Sequence, residues 1–193
     1  MSKLLLSTAT LACLITVSCN DRNTPSVSAN SPEPQARTQT QSQSHQMSAQ
    51  DQEFVRKAAM GGMFEVEAGQ MAARQANAQN VKDFGNRMVR DHTTVNEELK
   101  QWARTNNMTL PTAMGDEHRQ HIQKLQSARG RDFDRQYMML MVEDHQKDVD
   151  LFERQSNSGS HNELKSFAAK HLPTLREHLR MAREISGQMT SDR

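Results

Sequence analysis

Apolar side chains along this chain fall into helix-period stripes separated by short polar turns. The clearest stripe comprises Val81, Gly85, Met88, His92, Val95, Leu99 and Trp102, at alternating spacings of four and three. At about 3.6 residues per turn these positions share one helix face. His92 stands mid-stripe, where a bundle helix ordinarily carries Leu. A second stretch echoes the first: Tyr137, Met141 and Asp144-His145 repeat the arrangement of Phe84, Met88 and Asp91-His92.

The same patterning predicts five helices. The first starts near Ser48 to Asp51, with Phe54, Val55, Ala58, Gly62, Val66, Gly69, Ala73 and Ala76 on one face. Its many small residues imply close approach by a neighbour. A turn at Asn77 to Asn80 leads into the second helix, which ends around Arg104, ahead of Asn106-Asn107 and Pro111. A short third helix spans about Asp116 to Ala128 with Ile122 and Leu125 inward, and Gly130 stops it. The fourth runs from about Arg131 to Gln155 and is broken at Ser158-Gly159-Ser160. Ser160 and Glu163 have capping-box spacing for the fifth. That helix continues to about Ser186, with Leu164, Ala168, Leu175, Leu179, Ala182 and Ile185 inward. Pro173 inside it predicts a kink or a local break. Two tight hairpins joined by a long connection describe an all-α four-helix bundle with a short extra crossover helix. At about 1.5 Å per residue that helix covers roughly 20 Å, enough to carry the chain back along the bundle. The paired starts Asn80 to Phe84 and Glu163 to Phe167 suggest two related hairpins.

Ahead of the helices the character changes. Lys3 precedes an apolar run from Leu4 to Ser18, short for a bilayer span and suited to a secretory leader. Both cysteines, Cys13 and Cys19, lie in this leader. Val17-Ser18-Cys19 resembles a lipoprotein cleavage site with Cys19 as the lipidated residue. Thr16 departs from the Leu usual there, which leaves ordinary signal-peptide cleavage open. Residues 20–50 are dominated by Ser, Thr, Gln, Asn and Pro, and cannot bury enough surface to offset chain entropy. They read as a tether, leaving 1–19 as leader and 51–188 as one helical domain. Exported and held by a lipid, the domain would sit in the periplasm or at the outer membrane.

Charge and composition exclude several classes. Of 24 basic residues Lys3 lies in the leader, so the remainder balance the 23 acidic ones. Nothing favours nucleic acid. Without cysteine the domain has no disulfide and no thiolate metal site. No phosphate loop, Gly-x-Ser-x-Gly elbow or His-Glu-x-x-His motif occurs.

The informative chemistry is polar and points inward. Glu65 falls between Ala58, Gly62 and Gly69, whereas Glu67 faces away. Asp144 and Asp148 lie on the fourth helix's inner face with His145 at its margin, and His171 and His178 lie on the fifth helix's face. Counting from the turns places Glu65 level with His92, and Asp148 level with His171. Buried carboxylates and imidazoles cost several kcal/mol unless paired or metal-bound. Two arrangements meet that requirement. One is a hydrogen-bonded network, Glu65 with His92 and Asp144 or Asp148 with His171 or His178. The other is a divalent transition-metal site drawn from Glu65, His92, Asp144, His145, His171 and His178. Met60, Met63, Met71, Met88, Met138, Met139 and Met141 could add soft copper ligands, or serve as core filler. His118 and His121, one turn apart, form either a two-ligand pair or a solvated one, and Glu97-Glu98 reads as surface charge.

Four separated motifs resemble one bacterial family, the domain of unknown function 4142: Phe54 to Glu67, Met88-Val89-Arg90-Asp91-His92, Met141-Val142-Glu143-Asp144-His145, and Leu172-Pro173-Thr174-Leu175-Arg176-Glu177-His178-Leu179. The resemblance covers about Gln52 to Ile185 and implies a ferritin-like bundle, exported and often labelled an outer-membrane protein, with no established reaction. It includes Pro173, so that proline is compatible with the fifth helix. A di-iron centre of the ferritin type is a poor fit, because it needs Glu three residues before His. Val89, Ala168 and Leu175 hold those positions before His92, His171 and His178. Two functions remain: a non-enzymatic binding or stress-related module of the cell envelope, or a metal-binding or redox protein using the inward residues.

Overall fold

The computed structural model describes residues 47–191. The leader, Cys19 and nearly all of the tether lie outside the described residues. Five helices follow in order: α1 (Ala49–Gln75), α2 (Gln79–Thr105), α3 (Asp116–Ser127), α4 (Gly130–Ser158) and α5 (Asn162–Ser191). α1 pairs with α2 and α4 with α5, as antiparallel hairpins, and α1 also packs on α4. α3 lies in the long connection against α1 and α4. Cross-contacts fix the directions. Asp51, early in α1, bonds Gln155, late in α4, while Asp134, early in α4, bonds Asn77, just past α1. The chain therefore returns along the bundle between α2 and α4, which is the crossover that the sequence predicts.

The predicted α2 stripe is inside: Val81, Gly85, Met88, His92, Val95 and Leu99 are all buried. Trp102 is half-buried and donates its Nε1 hydrogen to Glu163 at 2.9 Å. That contact uses the side chain expected in the α5 capping box, so the box does not form. His161 instead stands before α5, its carbonyl accepting from Lys165 N. α5 runs without a break through the exposed Pro173.

α1 is buried more widely than one face predicts, with Phe64, Ala68, Met71 and Ala72 inside besides Phe54, Val55 and Ala58. A helix packed on α2, α3 and α4 has little solvent face, so no single stripe could describe it. The small residues act as expected. A Cβ at Gly85 would lie 2.7 Å from Ala72 Cβ and 2.8 Å from Gly69 O, so this approach of α2 to α1 leaves no room for a side chain at position 85. Gly130 opens α4 rather than closing α3, and its φ of +56° explains the glycine.

Each hairpin turn is held by a carboxylate from the other hairpin. Asp134 on α4 accepts the N–H groups of Asn77 and Ala78, both at 2.8 Å, where α2 lacks a capping side chain of its own. Asp51 on α1 accepts from Gln155 Nε2 at 2.6 Å and from Ser160 N at 3.1 Å in the α4–α5 turn. Neither link could be read from local sequence.

The apolar core comes in two parts. One contains Phe64, Met71, Phe84, Met88, Phe133, Tyr137, Met138 and Met141. The other contains Phe54, Leu99, Phe152, Leu164, Phe167 and Leu175. His92 on α2 and Asp144-His145 on α4 fall between these two groups in sequence, while Glu65 on α1 and His178 on α5 stand at the adjoining edge of one group. They form a polar layer across the middle of the bundle.

Candidate metal centre

Each of the four long helices contributes to this layer: Glu65 from α1, His92 from α2, Asp144 and His145 from α4, and His178 from α5. Glu65, His92, His145 and His178 are each no more than 2 % exposed. The three imidazoles form a near-equilateral triangle, with ring centroids 5.4 Å apart for His92–His145 and 5.3 Å for the other two pairs. Their ligand nitrogens lie within 4.8 Å of one another. Phe84 stands edge-on to His145 and His178 and closes one side.

Each ring has one nitrogen held from outside the triangle. His145 Nδ1 lies 2.9 Å from the carbonyl of Met141, one helical turn earlier. A carbonyl only accepts, so Nδ1 carries the hydrogen and Nε2 presents a bare lone pair. His178 Nε2 lies 2.8 Å from Asp91 Oδ2. Burial alone would raise Asp91's pKa, but His178 and Arg87 outweigh it and hold the carboxyl below its ordinary value. Ionised Asp91 accepts from His178 Nε2, and Nδ1 is the bare nitrogen. His92 Nδ1 lies 2.6 Å from Glu65 Oε2. The remaining nitrogens, His92 Nε2, His145 Nε2 and His178 Nδ1, are buried and have no hydrogen-bond partner.

Electrostatics keeps the rings neutral. Burial pulls His92 below its ordinary value, and pulls His145 far below it with help from the neighbouring rings. His178 falls to about 4, through burial and then the proximity of His92. Burial, reinforced by Asp144, pushes Glu65 well above the carboxylate range. Glu65 and His92 are thus a hydrogen-bonded pair rather than an ion pair, and in the tautomer whose Nδ1 hydrogen goes to Glu65 Oε2 the His92 Nε2 lone pair is free. Glu65 Oε1 approaches His145 Nε2 at 3.3 Å without hydrogen-bond alignment and is left unpaired.

Beside the triangle, Glu65, Asp144 and Asp148 bring carboxylate oxygens within 4.8 Å of one another. Asp148 hydrogen-bonds Glu65, and burial followed by Glu65's proximity raises its pKa well above normal. Asp144 Oδ1 is 3.2 Å from His118 Nε2, and the His118 ring lies flat on Phe64, with centroids 4.7 Å apart. Burial alone would lower His118's pKa, but its bond to Asp144 raises it.

The predicted Glu65–His92 pair is present. The predicted pairing of Asp144 or Asp148 with His171 or His178 is not. His178 bonds Asp91, and His171 lies apart from the triangle, 2.8 Å from Glu98 Oε2. Level residues met different neighbours because rotation about the helix axis turns His171 towards α2. Glu98, read as surface charge, also binds Lys170. His118 is largely buried on Asp144, with its ring centroid 6.4 Å from that of His121. Met139 is 65 % exposed, whereas Met71, Met88, Met138 and Met141 are core. Asp91 and Met141's carbonyl, which orient two of the imidazoles, escaped sequence reasoning. The repeated Asp-His dipeptide was a visible signal that gave no partner.

The fold and this layer define a class of helical bundle with an ionisable cross-section. The chain belongs to the family described as Domain of unknown function (DUF4142), whose model matches residues 36–185. Among solved structures it is similar to a DUF305 fragment from Deinococcus radiodurans, at 13% identity and a TM-score of 0.65, covering 74% of this chain and 98% of that one. A DUF305 protein from Streptomyces coelicolor gives 13% and 0.60, covering 71% and 91%. CopM in its Cu(II)-bound form gives 16% and 0.61, covering 72% and 95%. At such identities the likeness concerns fold alone. No curated protein matches the chain significantly.

Proposed function

We propose that this protein is an exported, non-enzymatic metal-binding module of the cell envelope. Its ion, of the Cu²⁺ or Zn²⁺ class, is held by His92 Nε2, His145 Nε2 and His178 Nδ1. One observation carries the reading: three buried imidazoles each offer a ligand nitrogen within 4.8 Å of the others, and each ring has one nitrogen held from outside and one without a hydrogen-bond partner. Unpaired buried polar atoms are costly, and three lone pairs crowded together repel. A late divalent ion removes both penalties, since neutral imidazole suits copper and zinc. The outer contacts are those that orient metal-bound histidine: a backbone carbonyl for His145 and carboxyl groups for His92 and His178. CopM, similar in fold, has a Cu(II)-bound form, which supports Cu²⁺ as a probe. The leader at residues 4–18 supports export, with Cys19 as the lipid anchor.

The test is thermal unfolding with and without Zn²⁺ or Cu²⁺. At a hundredfold excess over Kd, binding adds about 2.7 kcal/mol to stability. In a domain of this size that raises Tm by roughly 5–10 °C. The double variant Glu65→Leu with His92→Leu should fold and show no shift. An unmoved wild type would leave the layer as a structural network.

A further inference from the structure

We infer that Glu65, Asp144 and Asp148 form a second divalent-cation site, built from oxygen donors and opening on a surface cavity. This goes beyond the imidazole centre and shares only Glu65 with it, since Glu65 hydrogen-bonds His92 while its carboxylate also belongs to the acidic group.

The three carboxylates converge from two helices, Glu65 from α1 and the aspartates from one face of α4. Among the described residues none of them is paired with Lys or Arg. His118 is the basic partner of Asp144, and it occupies only Oδ1. Asp144 Oδ2 and Glu65 Oε1 are buried without any hydrogen-bond partner, in residues 6 % and 1 % exposed. A convergent acidic group could be merely structural, but its free oxygens then have no compensating contact. A bound cation would supply one.

Access comes from a cavity of about 510 Å³ between α1, α3 and α4, where Asp144, Asp148, Asp116, Glu117 and Asp150 outnumber the basic Arg56, Lys57, Lys147 and Arg154. Asp148 is partly exposed to this cavity and Asp144 lies deeper in its wall, while Glu65 and the imidazoles are not part of the lining. Carboxylate oxygens favour hard cations such as Mn²⁺, whereas imidazoles favour copper or zinc. The two sites should therefore sort ions by donor type.

The experiment follows Mn²⁺ binding by loss of its free-ion electron paramagnetic resonance signal, and in parallel examines Cu²⁺ for nitrogen coupling. Wild-type protein should bind one Mn²⁺. The near-isosteric Asp144→Asn with Asp148→Asn, checked for helicity by circular dichroism, should weaken Mn²⁺ binding at least tenfold and keep the Cu²⁺ nitrogen lines. Asp148→Asn alone replaces the double variant if that one misfolds. His178→Leu should retain Mn²⁺. Failure of the wild type to bind Mn²⁺, or binding indifferent to the aspartate substitutions, overturns the second site. Aspartate-dependent Mn²⁺ binding with no nitrogen-coupled Cu²⁺ supports the second site and removes the imidazole centre instead.

Discussion

At the scale of single residues, the layer contrasts pairs that counting can find with pairs it cannot. Glu65 and His92 lie at similar distances from one short turn, so antiparallel packing had to bring them level. Asp91 and His178 belong to helices separated by the whole crossover, and no count joins them. The Glu65–His92 pair can be tested directly. His92→Leu fills the α2 stripe but removes Glu65's partner at 2.6 Å. In metal-free protein this should cost about 1–3 kcal/mol in a denaturant melt. Adding Glu65→Leu should recover much of the loss, because both polar partners are then gone. A double variant as unstable as the two losses added together would show that the pair does not act as a unit.

Among the elements, helix number, order and most boundaries were legible from the apolar period together with the turn residues between helices. α1 was the exception, for a helix buried on three sides carries no single stripe. The carboxylates that tie the hairpins together were hidden too, since each reaches a turn far away in sequence. Asp134→Ala should cost about 1–3 kcal/mol by leaving the N–H groups of Asn77 and Ala78 unpaired. A loss under a few tenths would show that water replaces it. Asp51 adds a pH signature. Burial alone would raise its pKa, but hydrogen bonds from Ser48, Gln155 and the backbone of His161 and Ser160 hold it below the ordinary value. A depressed folded pKa contributes stability that is full above the unfolded value near 3.8 and fades as pH falls through the folded one. The stability gap between wild type and Asp51→Asn should therefore narrow in that acid range. A gap constant with pH would contradict the assignment.

For the whole molecule, two apolar cores flank a polar layer whose cost demands a purpose. No helix among the described residues is long and apolar enough to cross a membrane. Attachment, on the proposed reading, falls to Cys19. Palmitate labelling in cells should mark the wild type and not Cys19→Ser, and equal labelling of both would remove the anchor. The central claim is that three imidazoles bind one ion, and the Cu²⁺ electron paramagnetic resonance spectrum reads those ligands directly. Wild-type protein should show coupling to three nitrogens. One should be lost in each of His92→Leu, His145→Leu and His178→Leu. A Cu²⁺ spectrum without nitrogen coupling, or one unchanged in all three variants, would contradict the claim.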